Sequence, residues 1–313
     1  MNILITAIGS FSADYVISSL NKGGHFVIGC DIYPPEWHAV SKDCQKVYQV
    51  PLATATEQYV DALLGICEAH KIDCIFPLTD VEVDVLSAQA VRFVERGIQL
   101  CIQSKETLRI ARNKHAMCLL FEKDSRVNVP RFALSDAITE RFPLPAIAKP
   151  VNGRSSEGLS VITSIQELLR FHNRHDYIVQ TRLSGPVYTV DYVRDKLHNT
   201  DVAIPRKELL RTKNGAGITV HLTADAVLQK TASYIGNKLD VNGCINMEFI
   251  LHDSKYYLID INPRFSAGVA FSGMVGYDMV SAHLACFQGR KIAEQPNLPQ
   301  VIITKRYKEE IIA

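Results

Sequence analysis

The sequence predicts a parallel α/β domain followed by two α+β units, and three observations support this. Up to about residue 103, short apolar runs rich in β-formers (NILITAI, HFVIGCDI, CIFPL, IQLCI) alternate with helical patterns around 12–22, 57–70 and 82–96. That alternation builds a parallel sheet. A helical stretch at 105–124 then gives way to short strands, among them PAIAKPV and LSVIT, and to a helix near 164–175. Beyond residue 181, long strands interrupted by two helices favour an antiparallel sheet. The expected boundaries are 1–103, 104–180 and 181–313.

Composition narrows the function classes. A chain of 313 residues with 47% hydrophobic and 21% charged residues has room for two or three domains with a substantial core. Its net charge of +1 gives no broad basic field for nucleic acid or anionic membrane. MNILITAIG has no basic region ahead of its apolar stretch, and no apolar run is long enough to span a bilayer, so the expected location is the cytoplasm. The eight cysteines are scattered singly without a CxxC pair, and the histidines form no HExxH, so core packing is expected rather than zinc or disulfides.

A first strand ending in glycine invites a dinucleotide-binding reading, with Asp31 near the place where an acid meets ribose. AIGSFSADYV, however, lacks the later glycines of GxGxxG, which let the backbone approach a pyrophosphate.

The chemistry concentrates in two runs near the C-terminus. In YYLIDINPRF, residues 256–265, alternation points Asp260 and Asn262 one way and Ile259 and Ile261 the other. CINMEFIL, residues 244–251, sets Asn246 and Glu248 opposite Ile245, Met247 and Phe249. Folding about HDSK brings Glu248 nearly opposite Asp260. Two carboxylates and an amide oxygen then converge, and facing like charges call for a positive partner. Hard oxygens of this kind suit Mg²⁺ or Mn²⁺ with substrate phosphate completing the shell; a solvated face with incidental acids is the alternative. Pro263 ends the strand, and Arg264 offers a fork for phosphate or carboxylate.

Upstream, VNGRSSEG lies between AIAKP and LSVIT. Its glycines and serines permit a turn that closes over phosphate oxygens, although no GKS or GKT follows as in a P-loop. Lys149 brings a point charge to the same region.

A lysine strand, a glycine loop and a downstream Glu, Asp, Asn set, in that order, resemble the ATP-grasp superfamily from Met1 to about Arg290. The similarity is greatest to its carboxylate-amine ligases and carbamoyl-phosphate-synthetase-like members. The resemblance implies an N-terminal Rossmann-like domain, a central lid and a C-terminal domain carrying the metal. NKHAM and AIAKPVNGRSSEG resemble the segments that grip ATP, which implies that role for Lys114 and Lys149, with Gly153 to Gly158 as the mobile loop and Ser155 and Ser156 as phosphate contacts. IVQTRL resembles the adenine-binding hinge, implying Gln180, Thr181 and Leu183. Metal ligation falls on Glu248, Asp260 and Asn262, while AIPRKELLR implies Arg206 and Arg211 beside Arg264 as active-site arginines. Two segments depart from the pattern. Val187 stands where members commonly carry a ribose-binding glutamate, a hydrogen bond valine cannot accept, and RTKNGAG differs from the RAGE-like run of close relatives.

The implied activity is ATP-dependent ligation of a small-molecule carboxylate to an amine through an acyl phosphate, with Mg²⁺ or Mn²⁺. Nucleic acid and membrane are not expected partners, and a homodimer is one of the open oligomeric states. Bicarbonate chemistry of the carbamoyl-phosphate type and a non-catalytic ATP-binding protein are the competing readings.

Overall fold

The structure, a computed structural model, describes every residue except 154–156, 173 and 313. Ser155 and Ser156 therefore lie outside the described residues.

The first five strands are β1 (Asn2–Ile5), β2 (Phe26–Asp31), β3 (Lys46–Gln49), β4 (Cys74–Phe76) and β5 (Gln99–Leu100), joined through α1 (Ala13–Lys22), α2 (Thr56–His70), α3 (Asp80–Ala88) and α4 (Ala90–Val94). They form one sheet in the order β3-β2-β1-β4-β5 with every pairing parallel. Ile3, Leu4 and Ile5 are fully buried, as expected for a strand covered on both faces. The order reverses between β1 and β4, and ligands of such sheets gather outside the strand ends at that point. Edge strand β3, KVYQ, is an addition to the sequence reading, and the helix expected over 82–96 is two helices that part at Gln89.

The helix expected over 105–124 is likewise two, α5 (Lys105–Ala111) and α6 (Lys114–Phe121). Asn113 causes the break: its side chain accepts the Ala116 N–H at 2.8 Å, satisfying an orphan donor of a new helix. Lys114 thus opens α6. A small antiparallel sheet follows, from β6 (Phe132–Leu134), β7 (Ala146–Pro150), β8 (Ser160–Ile162) and β9 (Tyr177–Thr181) in the order β6-β9-β7-β8, with α7 (Ile165–Leu169) between β8 and β9.

The remaining strands are β10 (Val187–Asp195), β11 (Thr200–Arg211), β12 (Gly217–Leu222), β13 (Gly243–His252), β14 (Lys255–Asn262) and β15 (Val301–Thr304), with helices α8 (Ala226–Lys238), α9 (Val269–Met274) and α10 (Met279–Phe287). All pair antiparallel in the order β14-β13-β10-β11-β12-β15. One face, through Val190, Tyr192, Ile245, Met247 and Phe249, shares a core with α6 and α8. The opposite face carries Val193, Val202, Ile204 and Cys244 into a second core with β1, α1 and α10. Further along the same strands that second face turns polar, at Asp191, Arg206, Asn246 and Glu248, because residues two apart share a side. Where it turns polar, the packing opens into a cleft.

His283 on α10 bolts three elements together. Its Nδ1 accepts the Cys244 N–H at 2.8 Å, and its Nε2–H reaches the Cys101 carbonyl at 3.1 Å. Gly243 precedes this contact at φ +88°, and a Cβ there would lie 2.6 Å from the His283 ring. Both ring nitrogens are engaged in the neutral form, and burial pulls the pKa from 6.5 down to about 4. An unfolded chain protonates this ring near pH 6.5 whereas the folded one resists until about 4, so stability falls as pH drops through that window. The expected loss is about 3 kcal/mol. Denaturant melts between pH 8 and 4 should show it, and His283→Gln should flatten that part of the profile.

Candidate functional site

The site is built on the β13/β14 hairpin. Its turn centres on Asp253 and Ser254, at φ 45° and 59°, and two positive values match the twist of a two-residue hairpin loop. The ladder sets Glu248 opposite Asp260 and Asn246 opposite Asn262. It also contains a bulge: Phe249 pairs with Leu258, leaving Ile259 as the extra residue. Here the simple alternation fails, since Ile259 lines the cleft together with Asp260 instead of facing away from it. Leu258, two residues before Asp260, is fully buried in the core.

Each acid meets its own cation. Lys114 Nζ lies 3.1 Å from Asp260 Oδ1, and Arg211 lies 2.9 Å from Glu248 Oε2. Burial pushes the Glu248 carboxyl above the ordinary glutamate range and Asp260 adds to this, while Arg211 opposes it. Lys149 Nζ donates to the Ile259 carbonyl, freed from the ladder by the bulge, at 3.0 Å. Burial lowers the Lys149 ammonium from the usual lysine value, with Asp260 acting the other way. Lys114 also donates to the Gly153 carbonyl at 2.7 Å, tying α6 to the glycine loop.

These groups share a cleft of about 900 Å³ with Gly153, Gln180, Thr181, Leu183, Asn262, Arg206 and Arg264. Gly158 is not among its lining residues; it adopts φ +71° behind the loop, where a Cβ would meet the Tyr177 hydroxyl. Along the hinge, Gln180 sits within the β-ladder and its side chain donates to Cys118 Sγ at 3.2 Å, and the Thr181 N–H bonds the Arg131 carbonyl. Leu183, just beyond the strand, is the hinge position left outside that ladder.

The three arginines differ in freedom. Arg264 bonds Asp80 at 2.7 Å and reaches Asn262 Oδ1 at 3.4 Å. Arg206 is buried in a network with Asp191 at 2.7 Å, Ser266 at 3.1 Å and Glu208 at 3.3 Å. Arg211 divides its donors between Glu248 and the Gly215 carbonyl.

Asp80, Phe11, Tyr33 and Leu52 escaped the sequence reading, whereas Asp31 was singled out there. Asp80 opens α3 within a Thr79–Glu82 capping box, and burial alone would raise its pKa, but Arg264 and Arg112 pull it below the ordinary aspartate value. Its place after strand CIFPL, at the carboxyl end of a parallel sheet, was the available signal. Asp31 accepts the Gly9 N–H at 2.9 Å and the Tyr33 N–H at 3.1 Å, and faces His38 at 3.4 Å. The chain's own groups thus occupy the carboxylate that a dinucleotide-binding protein would offer to ribose. Phe11, Tyr33 and Leu52, all more than half exposed, form an apolar wall on this side.

A divalent cation fits this set. Among the described residues no three His, Cys, Asp or Glu side chains gather as a self-sufficient metal cluster. Two facing carboxylates and an amide oxygen are instead the sparse hard-oxygen set that magnesium completes with water and phosphate.

Comparison with known proteins matches this architecture. Residues 3–101 match the PylC-like N-terminal domain, and residues 111–268 match the ATP-grasp domain. The carbamoyl phosphate synthase large chain of Thermoplasma acidophilum is 22% identical over 91% of this chain and 29% of its own length. That of Clostridium acetobutylicum is 21% identical over 75% and 24%. The chain therefore spans less than a third of these relatives. Among solved structures, the biotin carboxylase–β-γ-ATP complex from Campylobacter jejuni superposes with a TM-score of 0.79 at 16% identity, covering 96% of this chain and 73% of that one. N5-carboxyaminoimidazole synthetase from Staphylococcus aureus complexed with ADP gives 0.73 at 15% identity, covering 95% and 79%. A parallel N-terminal sheet, a small antiparallel lid sheet and a C-terminal antiparallel sheet are the parts of one known fold, and this chain belongs to the ATP-grasp family, with a PylC-like N-terminal domain.

Proposed function

We propose that this protein is an ATP-dependent carboxylate–amine ligase that forms an amide bond and releases ADP and phosphate, with working units divided near residues 103 and 180. The observation that carries this reading is the hairpin that sets Glu248 against Asp260, with Lys114, Lys149 and Arg211 around it in one cleft. Glu248, Asp260 and Asn262 would hold Mg²⁺ or Mn²⁺, which supplies charge neutralisation to the phosphates when bound. Lys114 and Lys149 orient and neutralise the transferred phosphoryl group, and the unladdered Leu183 backbone suits an adenine edge. Arg264, held by Asp80, stands where the carboxylate substrate becomes an acyl phosphate. Little covalent chemistry falls to side chains in phosphoryl transfer, so positioning and charge do most of the work. Lys114 also holds Gly153, which lines the same cleft.

The wall of Phe11, Tyr33 and Leu52 favours organic substrates over bicarbonate, since a carbonate-sized ion has no use for exposed aromatic surface. Bicarbonate chemistry is the second reading, on the similarity to carbamoyl phosphate synthase chains.

Incubation with ATP, magnesium and the twenty standard amino acids should yield ADP together with an amide product by mass spectrometry. ADP release that depends on added bicarbonate alone would favour the second reading, and ATP binding without ADP release a non-catalytic role. Asp260→Ala should abolish ADP release while the far-UV spectrum stays that of the parent; turnover in that variant would remove the metal assignment. Lys149→Ala should weaken ATP binding by about 10- to 100-fold in a calorimetric titration, on the scale of one lost charge-assisted contact.

A further inference from the structure

Glu208 lies on β11 beside Arg206 and lines the same cleft. Its side chain is 3% exposed, and the two carboxylate oxygens are treated differently. Oε1 faces Arg206 Nε at 3.3 Å, whereas Oε2 is buried and has no hydrogen-bond partner among the described residues. Oε2 lies against Gly217, where a Cβ would come within 2.4 Å of it and displace the carboxylate. Arg206 does not satisfy the whole carboxylate, being shared with Asp191 and Ser266. Lys305, the other cation nearby, donates to the Ala267 carbonyl at 2.7 Å. On the far side stand Glu248 and Arg211, already paired with each other. A buried carboxylate oxygen without a donor is costly, and because Glu208 lines the cleft, a small turn of its carboxylate would let a donor brought by a ligand satisfy it.

Resting on the ligase reading above, we propose that Glu208 binds the ammonium group of the amine substrate and accepts its proton. An amine reaches the site mostly as R–NH₃⁺, which has no lone pair to attack with. Proton transfer to Glu208 gives R–NH₂ and a neutral carboxyl. The nitrogen lone pair then forms the N–C bond to the acyl phosphate, the C–O bond to phosphate breaks with its electron pair, and the departing phosphate takes the second nitrogen proton as HPO₄²⁻. Glu208 later returns its proton to water. The chemical class selected is a primary ammonium.

Hydroxylamine separates this role from the others, because it is a free base at neutral pH and attacks acyl phosphates without first losing a proton. The experiment incubates wild type and Glu208→Gln with ATP, magnesium and the twenty standard amino acids, with and without hydroxylamine. Hydroxamate is read by its iron(III) complex and amide by mass spectrometry. The expected result is hydroxamate within threefold of wild type and amide reduced at least about 100-fold, the range of a lost general base. Retained hydroxamate also reports that the variant is folded. Equal loss of both products would make Glu208 a structural or phosphoryl-transfer residue and overturn the proposal, as would unchanged amide formation. Glu208→Asp, which keeps the charge, should recover part of the amide signal; no recovery counts against a proton acceptor. A wild type that makes neither hydroxamate nor ADP overturns the ligase reading, and the proposal falls with it.

Discussion

Two carboxylates face each other across an antiparallel pair, and the rest of the site follows from having to hold them there. Opposed acids on one face repel, and burial makes the ionised form of Glu248 costlier still. The fold answers with cations from separate elements: Lys114 from the start of α6, Arg211 from the end of β11, and Lys149 from β7 against the adjoining carbonyl. The Lys114–Asp260 pair thereby also joins the C-terminal sheet to α6, whereas Arg211–Glu248 ties β11 to β13 within that sheet. Removing one partner would leave its half-buried counterpart uncompensated, which is more damaging than never having had the pair.

The N-terminal sheet supplies the other half of the cleft. Its order reverses between β1 and β4, and residues just beyond those strands, Ala7, Gly9 to Ser12 and Leu78 to Glu82, line the same cleft as the hairpin. The Asp80–Arg264 bond joins the two halves where α3 begins, with the capping box fixing the angle of that helix. One face of the six-stranded sheet does two jobs: its apolar end seals against β1, α1 and α10, and its polar end is left open.

Features with a period or a close sequence spacing were legible in the chain. The alternating strands and the hairpin about HDSK could be read because each rests on local pattern, whereas Lys114 was singled out only through the family resemblance. Edge strand β3 could not: KVYQ is short and half exposed, and it pairs only because β2 is already in place. Asn113 was hidden in an otherwise helical run, although its capping chemistry decides where Lys114 stands. Asp80 and Glu208 belong to the site through contacts 184 and 2 residues away in sequence, and neither lies in a motif of its own. Arg206 was marked through the resemblance as an active-site arginine, and the sequence does not show that Asp191 and Ser266 close around it.

Ile259 is the extra member of its ladder, and the count it changes is odd or even. Leu258 and Asp260 are two residues apart, so an uninterrupted strand would send both into the oily side of the sheet. The insertion reverses the phase between them: the leucine stays in the interior and the acid emerges on the wet side. The placement of this carboxylate is thus written in the parity of one strand. Losing a single residue there would exchange the two faces with no side chain of the site having been altered.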